Sequence, residues 1–171
     1  MAPEGLRPGS GKGWCVMKLG DYMDPQWIFT QFNPSDKQDL LSMLAEAAAR
    51  RYPGVQPDVL LDKLILREKE GSTGIGQGVA VPHATVDSIP KTVCMVARLS
   101  SAIDFAAIDK RPVNLVFLLI SPPSEIGLHI KLLARIARML KSGAISAAFS
   151  GNYTAEQLWD IILREDERHV E

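Results

Sequence analysis

The sequence predicts an α/β domain, and three observations carry that prediction. Pro112-Val113-Asn114-Leu115-Val116-Phe117-Leu118-Leu119-Ile120 is nearly all apolar, as a strand covered on both faces should be. Segments with apolar residues at helical spacing lie on both sides of it in the chain. A shorter apolar run, Val79-Ala80-Val81, stops at Pro82, which has no N–H for a ladder and marks a strand end or an edge. The chain's 171 residues suffice for one domain with a sizeable core. No repeat is visible, and nothing past residue 34 reads as a linker.

Composition narrows the function classes. Hydrophobic content is 46% and charged content 23%, the balance of a soluble globular protein. A formal net charge of −1 argues against a nucleic-acid binder held by bulk charge. Cys15 and Cys94 are too few for a disulfide framework and fit a reducing cytosol. Cys94, inside an apolar run, reads as a small core residue. No apolar run reaches the roughly 18 residues of a membrane helix, so no membrane insertion is expected. The first 16 residues lack the apolar stretch of a secretory leader, and a cytoplasmic location follows as the expectation.

Residues 1–16 are rich in Gly and Pro and without period, so they read as disordered or as an extension. The domain is expected over 17–171. Trp27 to Phe32 is an aromatic and β-branched run, a plausible first strand. Ser35-Asp36-Lys37-Gln38 matches a capping box with Ser35 at the N-cap. The helix behind it has Leu40, Leu41, Leu44, Ala47 and Ala48 on one face and should end near Arg51. Pro57 opens a second helix with Leu60, Leu61, Leu64 and Ile65 as its stripe, and Gly71 sits where a C-cap belongs. After the strand at 79–81 comes a polar turn, Asp87 to Lys91, and then a strand at Thr92–Ala97. Ser101 to Arg111 reads as a loop. The apolar strand at 112–120 breaks at Ser121-Pro122-Pro123-Ser124. A long helix is expected from about Glu125 to Lys141, then a short one over 144–149. A last helix starts at Asn152-Tyr153-Thr154, and its charged tail from Arg164 onward reads as frayed.

The chemistry concentrates in Gly71-Ser72-Thr73-Gly74-Ile75-Gly76-Gln77-Gly78-Val79-Ala80-Val81-Pro82-His83-Ala84. Four glycines at every second or third position permit a tight loop with exposed backbone N–H groups, and such loops can bind anions. Ser72 and Thr73 add hydroxyl donors. His83 is placed at a strand tip, where α/β proteins keep reactive groups. Neutral imidazole is abundant at pH 7 and nucleophilic, so His83 reads as an acceptor and donor of a phosphoryl group. Phosphoryl transfer needs mainly positioning and charge stabilisation, which Arg67, Ser72, Thr73 and loop N–H groups could supply without a metal. His129 has Leu133, Ile136 and Leu140 following at +4, +7 and +11. It therefore lies on or beside the buried face, about one turn inside a helix N-terminus, and could meet His83 across a shallow site.

Plainer readings stand beside these. His83 could cap a strand end, and His129 could be a satisfied histidine at the edge of the core. Arg67 could be solvated helix surface, and Ser72 and Thr73 could only shape a turn. Asp104 and Asp109 look like loop residues without a third ligand, so no metal and no cofactor are assigned. His169 receives no role. A P-loop would need Gly-Lys-Ser/Thr where Gly76 is followed by Gln77. A dinucleotide fingerprint would open a helix after a strand, whereas the order here is helix, loop, strand.

Together these residues resemble the enzyme IIA domains of the fructose/mannitol class in the bacterial phosphoenolpyruvate-dependent phosphotransferase system, most closely the nitrogen-regulatory branch. Arg67-Glu68, GSTGIGQGVAVPHA and the strand VNLVFLLI followed by His129-Ile130-Lys131-Leu132-Leu133 carry the resemblance, which runs from about Met17 to Leu163. It implies a single α/β domain, a mixed β-sheet flanked by helices on both sides. It implies a phosphotransferase with His83 phosphorylated, His129 as supporting histidine and Arg67 as the basic residue nearby. It implies an HPr-like phosphocarrier as donor, with regulated partner proteins or a IIB domain as acceptor. Relatives often have Gly after the active histidine, where this chain has Ala84. A regulatory phosphocarrier is the first reading, a sugar-specific IIA with a separate IIB the second, and a protein-binding module that is never phosphorylated the third.

Overall fold

The computed structural model describes residues 16–169. The expectation of disorder or an extension at 1–16 thus falls, except for Val16, outside the described residues. One mixed sheet of six strands organises the chain: β1 (Ile28–Phe32), β2 (Gly74–Gly76), β3 (Val79–Ala80), β4 (His83–Thr85), β5 (Val93–Ile103) and β6 (Val113–Ser121). β1 runs parallel to β5, and β5 antiparallel to β6. β3 and β4 both run parallel to β6 along its other edge, and β2 closes antiparallel onto β3.

Alternation along the two central strands explains the helices on both faces. Val93, Met95 and Ala97 of β5, with Val116, Leu118 and Ile120 of β6, pack against α1 (Lys37–Arg51) and α2 (Pro57–Lys69). Cys94 and Val96, with Leu115, Phe117 and Leu119, pack against α3 (Ile126–Lys141), α4 (Ala144–Phe149) and α5 (Ala155–Arg168). A strand apolar at both phases of its period can only be satisfied between two layers. Burial raises the pKa of the Cys94 thiol, as the core reading of that residue requires. Among the described residues no helix is long and apolar enough to cross a membrane.

Several boundaries differ from the sequence reading, each for a local reason. The N-cap of α1 is Asp36, whose Oδ1 accepts from the Asp39 N–H at 2.8 Å. Ser35 instead gives its N–H and hydroxyl to the Asp39 carboxylate, so the chain enters the helix one residue later than the Ser35 box implies. A capping box does form at Thr154 and Gln157, at the start of the last helix. β5 continues to Ile103, through residues read as loop, because Ile103 pairs with Val113 after a register shift. The glycine stretch contains strand β2 as well as turn. Gly74 lets that strand approach the 104–112 loop, since a Cβ there would lie 2.7 Å from that of Ala107. Gly78, at φ +78°, leaves no room for a side chain beside Asn114.

The charged tail is helical to Arg168 rather than frayed. Asp166 is buried, and its carboxylate accepts from Arg135 Nε of α3 and from the Gly20 N–H. Arg135 also donates to the Asp166 carbonyl at 2.7 Å and to the His169 carbonyl at 3.3 Å. This pair ties the first turn of the described chain, α3 and α5 together. Removing one partner of a buried pair leaves the other charge uncompensated, at about 3–5 kcal/mol. Asp166→Ala should therefore lower the unfolding free energy by about 3–5 kcal/mol in urea titrations, and adding Arg135→Met should recover most of that loss. A loss under about 1 kcal/mol would show the pair to be solvated.

Candidate functional site

Pro82 interrupts what would otherwise be one strand along β6. β3 pairs with β6 up to Ala80 and Val116, and β4 resumes with His83 opposite Leu119, Ala84 opposite Ile120 and Thr85 opposite Ser121. The Pro82 carbonyl accepts from the Leu119 N–H, so the sheet bridges the missing donor. His83 therefore opens a strand rather than ending one. It stands in register with the end of β6, where the chain turns into α3.

The His83 ring is held at both nitrogens. Nδ1 lies 2.8 Å from the Val81 carbonyl oxygen. A carbonyl only accepts, so Nδ1 carries the proton. Arg67 Nε, in the last turn of α2, donates to Nε2 at 3.1 Å, and its Nη1 donates to the Gly71 carbonyl at 2.9 Å. Both contacts require the same tautomer, with an unprotonated Nε2. Burial lowers the His83 pKa below its ordinary 6.5, with the Val81 carbonyl opposing and the Arg67 charge reinforcing that shift.

His129 enters from α3, in the helix's first turn, with its ring centroid 5.5 Å from that of His83. It is buried, and its Nδ1 lies 2.7 Å from Ser121 Oγ. Burial pushes its pKa down to about 4, with His83 beside it adding to the effect. Ser121 is the last residue of β6. Its hydroxyl oxygen lies 2.9 Å from Thr92 Oγ1, which in turn lies 2.6 Å from Glu125 Oε2. Glu125 also accepts the Thr92 N–H at 2.7 Å, and these bonds hold its carboxyl below the usual range.

Around the two imidazoles lies a cleft of about 420 Å³. Lys63 and Arg67 line it from α2 and Glu70 from that helix's C-cap, Ala84 and Thr85 from β4, and Ile126, Ile130 and Leu133 from α3. Leu66, Ile126 and Ile130 form an exposed apolar rim, Leu66 62% and Ile130 61% exposed. Exposed apolar patches rimming polar groups are features of protein, membrane or ligand interaction sites.

Of the residues singled out in the sequence, Arg67, His83 and His129 come together. Ser72 and Thr73 do not line this cleft. The Ser72 hydroxyl donates to the Phe105 carbonyl, and the Thr73 hydroxyl and N–H both go to the Glu68 carboxylate. The Gly74 N–H goes to Ser72 Oγ and the Gln77 N–H to Asp109, so these loop donors are occupied within the loop. Ser72 and Thr73 hold the turn by which α2 reaches β3. Asp104 and Asp109 accept from loop N–H groups, and among the described residues no His, Cys, Asp and Glu cluster fits a metal.

Four contributors escaped sequence reasoning. Glu68 anchors the turn and is itself paired with Lys37 Nζ at 2.8 Å. Thr92, Ser121 and Glu125 back His129 through hydrogen bonds. Only Glu68 left a sequence signal, as the residue next to Arg67.

The family described as phosphoenolpyruvate-dependent sugar phosphotransferase system, EIIA 2, matches residues 21–165. A nitrogen regulatory protein of Bradyrhizobium diazoefficiens is 34% identical over 146 residues, 85% of this chain and 95% of that relative. A fructose-specific EIIA component of Haloferax volcanii is 33% identical over 107 residues, 63% of this chain and 70% of its own. The crystal structure of the nitrogen regulatory protein IIA-Ntr from Neisseria meningitidis superposes with a TM-score of 0.78 at 26% identity, covering 84% of this chain and 98% of that one.

The lowered His129 pKa makes stability depend on pH. Between pH 6.5 and about 4 the unfolded chain protonates this histidine while the folded chain does not. Its contribution is therefore fully present above pH 6.5 and is lost as pH falls through that window, by about 3 kcal/mol in total. Urea titrations at neutral pH and near pH 4 check this: His129→Gln should flatten the decline, and an unchanged decline would contradict it.

Proposed function

The chain belongs to the EIIA type-2 family of the phosphoenolpyruvate-dependent sugar phosphotransferase system, and from that membership we propose a phosphocarrier that works through Nε2 of His83. The donor is the phosphohistidine of an HPr-like carrier protein. The phosphorylation state of His83 then governs binding to regulated partner proteins, in a nitrogen-related role. One observation carries the choice of atom: Nδ1 of His83 donates to the Val81 carbonyl, so the ring's one available lone pair is on Nε2, where Arg67 Nε donates to it at rest.

The step balances without a metal. The donor's N–P bond breaks, and its electron pair stays on the donor ring, which leaves as neutral imidazole. The Nε2 lone pair forms the new N–P bond, and the His83 ring takes up the formal positive charge. The Val81 carbonyl keeps Nδ1–H in place, so the phosphorylated ring stays a good leaving group for onward transfer. Arg67 shifts its N–H from Nε2 to a phosphoryl oxygen, and Lys63 adds positive charge from the same helix. His129 faces the bound group from α3 and supports it. Ser72 and Thr73 contribute by fixing the turn, with no contact of their own to the phosphoryl group. The apolar rim receives the donor.

A sugar-specific IIA passing its phosphoryl group to a separate IIB is the second reading, supported by the 33% identity to a fructose-specific component. The alignment over 95% of a nitrogen regulatory protein favours the first.

Intact-mass measurement after incubation with phosphoenolpyruvate, enzyme I and a carrier protein should show one phosphoryl group, lost on acidification and absent in His83→Ala. Arg67→Ala should slow acceptance by roughly a hundredfold. His129→Ala should still accept but should lose onward transfer or phosphohistidine lifetime. Full acceptance by His83→Ala would overturn the assignment. No acceptance from any cognate donor would favour the module that is never phosphorylated.

The rim makes a separate expectation. Ile130→Glu should weaken the donor interaction, raising the donor's KM about tenfold or more while unfolding stays within about 0.5 kcal/mol of the parent. An unchanged KM would remove Ile130 from the docking face.

A further inference from the structure

Behind His129 runs a chain of hydrogen bonds that the phosphocarrier reading does not use. Glu125, Thr92, Ser121 and His129 follow one another at 2.6, 2.9 and 2.7 Å. They come from four places: the turn before α3, the start of β5, the end of β6 and the first turn of α3 itself. Thr92 and Ser121 are wholly buried, so no solvent completes their bonding.

Counting hydrogens fixes the direction of the chain. An ionised carboxylate only accepts, and each hydroxyl has one hydrogen. The Thr92 hydroxyl therefore donates to Glu125 Oε2, where the contact is short and charge-assisted. The Thr92–Ser121 contact must then be filled by the Ser121 hydrogen. With that hydrogen committed, Ser121 Oγ can only accept from His129, so His129 carries its proton on Nδ1. Its other nitrogen, Nε2, is left to the cleft without a hydrogen. Any other arrangement places two lone pairs against each other within a buried chain.

We propose that Glu125, acting through Thr92 and Ser121, is a positioning residue that holds neutral His129 in the Nδ1–H tautomer, so that His129 can donate a hydrogen bond into the cleft only after taking up a proton. This rests on the phosphocarrier reading for its consequence. The arriving phosphoryl group brings negative charge to the nitrogen that lacks a hydrogen. A solvent proton must then bind His129 Nε2, giving an imidazolium that donates to a phosphoryl oxygen at one end and to Ser121 at the other. Phosphorylation of His83 is thereby coupled to the uptake of one proton. The charged groups facing His129 are Lys63 and Arg67 from α2, Glu70 from that helix's C-cap, His83 from β4 and Glu125 through the chain. The depressed His129 pKa keeps the resting ring neutral at pH 7, as the coupling requires.

The test reads the tautomer directly, by two-bond ¹H–¹⁵N correlation of the histidine rings in the ¹⁵N-labelled full chain at pH 7. In the unphosphorylated parent, His129 Nδ1 should show a protonated nitrogen shift and Nε2 an unprotonated one. Thr92→Val removes the acceptor of the Ser121 hydrogen, which can then turn to Nδ1, so the tautomer should invert to Nε2–H. Ser121→Ala should abolish the preference. An Nε2–H tautomer in the parent, or no change in Thr92→Val, would overturn the proposal. After phosphorylation both His129 nitrogens should carry protons at pH 7, and a ring still neutral would overturn the coupling. The resting measurement needs no phosphoryl donor. Failure of His83 to accept a phosphoryl group would count against the carrier reading and leave the tautomer result standing.

Discussion

The pairing of β6 with an interrupted strand is the constraint on which the site depends. β3 and β4 pair with β6 in one constant register, Ala80 opposite Val116 and His83 opposite Leu119, with Pro82 as the gap in the ladder. The proline breaks the N–H series, and the Leu119 N–H takes the Pro82 carbonyl instead. Val81 gives its own N–H to the Thr73 carbonyl, and its carbonyl meets the His83 ring two residues on. That carbonyl is the acceptor that selects the histidine's tautomer. The same register sets Thr85 opposite Ser121, at the point where the chain leaves the sheet for α3. His83 and His129 meet because one strand carries the first as a partner and launches the helix bearing the second.

The helices on the two faces contribute unequal things. α2, packed on one face through Leu60 and Leu64, brings Arg67 to His83 Nε2 and carries Lys63 and, at its C-cap, Glu70 along the cleft. α3, packed on the other through Leu132, Ile136 and Met139, brings His129 and two of the rim residues, Ile126 and Ile130, while Leu66 comes from α2. The cleft sits where the two layers overhang the end of the sheet, as ligand sites in α/β folds commonly do. The pair of Lys37 with Glu68, and of Glu68 with Thr73, fixes the exit from α2, so the arginine's backbone is tied to the glycine turn. The Arg135–Asp166 pair does the corresponding work for the α3 face, holding α5 against it away from the cleft.

Much of this was legible in the sequence where the signal is local or periodic. The apolar phase of 112–120, the stripe of α1 and α2, the proline after 79–81 and the spacing of His129 from Leu133 and Ile136 gave the layers and the two histidines. The resemblance to a known family supplied the pairing of those histidines, which spacing alone left open. What was missed is long-range. Arg164 to Arg168 reads as solvated charge until Arg135, 31 positions before Asp166, is found beneath it. Ser72 and Thr73 read as donors to a ligand because the sequence does not show Phe105 or Glu68 claiming their hydroxyls. Thr92, Ser121 and Glu125 carry no motif, since three separate elements must fold before they touch.

The resting site is nearly neutral at its centre, and that bears on how a phosphorylation state could be read. Both imidazoles are held in uncharged form by burial, with one guanidinium on His83. A phosphoryl group on a ring that keeps its Nδ1–H would bring about one net negative charge to a point ringed by Leu66, Ile126 and Ile130. A protein surface that docks on the apolar rim would then meet uncharged imidazoles beside the Arg67 guanidinium in one state and an anionic phosphoryl group in the other. Desolvating that anion costs several kcal/mol unless the partner supplies a cation. A partner with an apolar face would therefore prefer the unmodified form, and one with a basic centre the modified form. Proton uptake by His129 would offset that charge and narrow the difference. On the phosphocarrier proposal, the hydrogen-bond chain behind His129 would thus bear on discrimination between states as well as on the lifetime of a phosphohistidine.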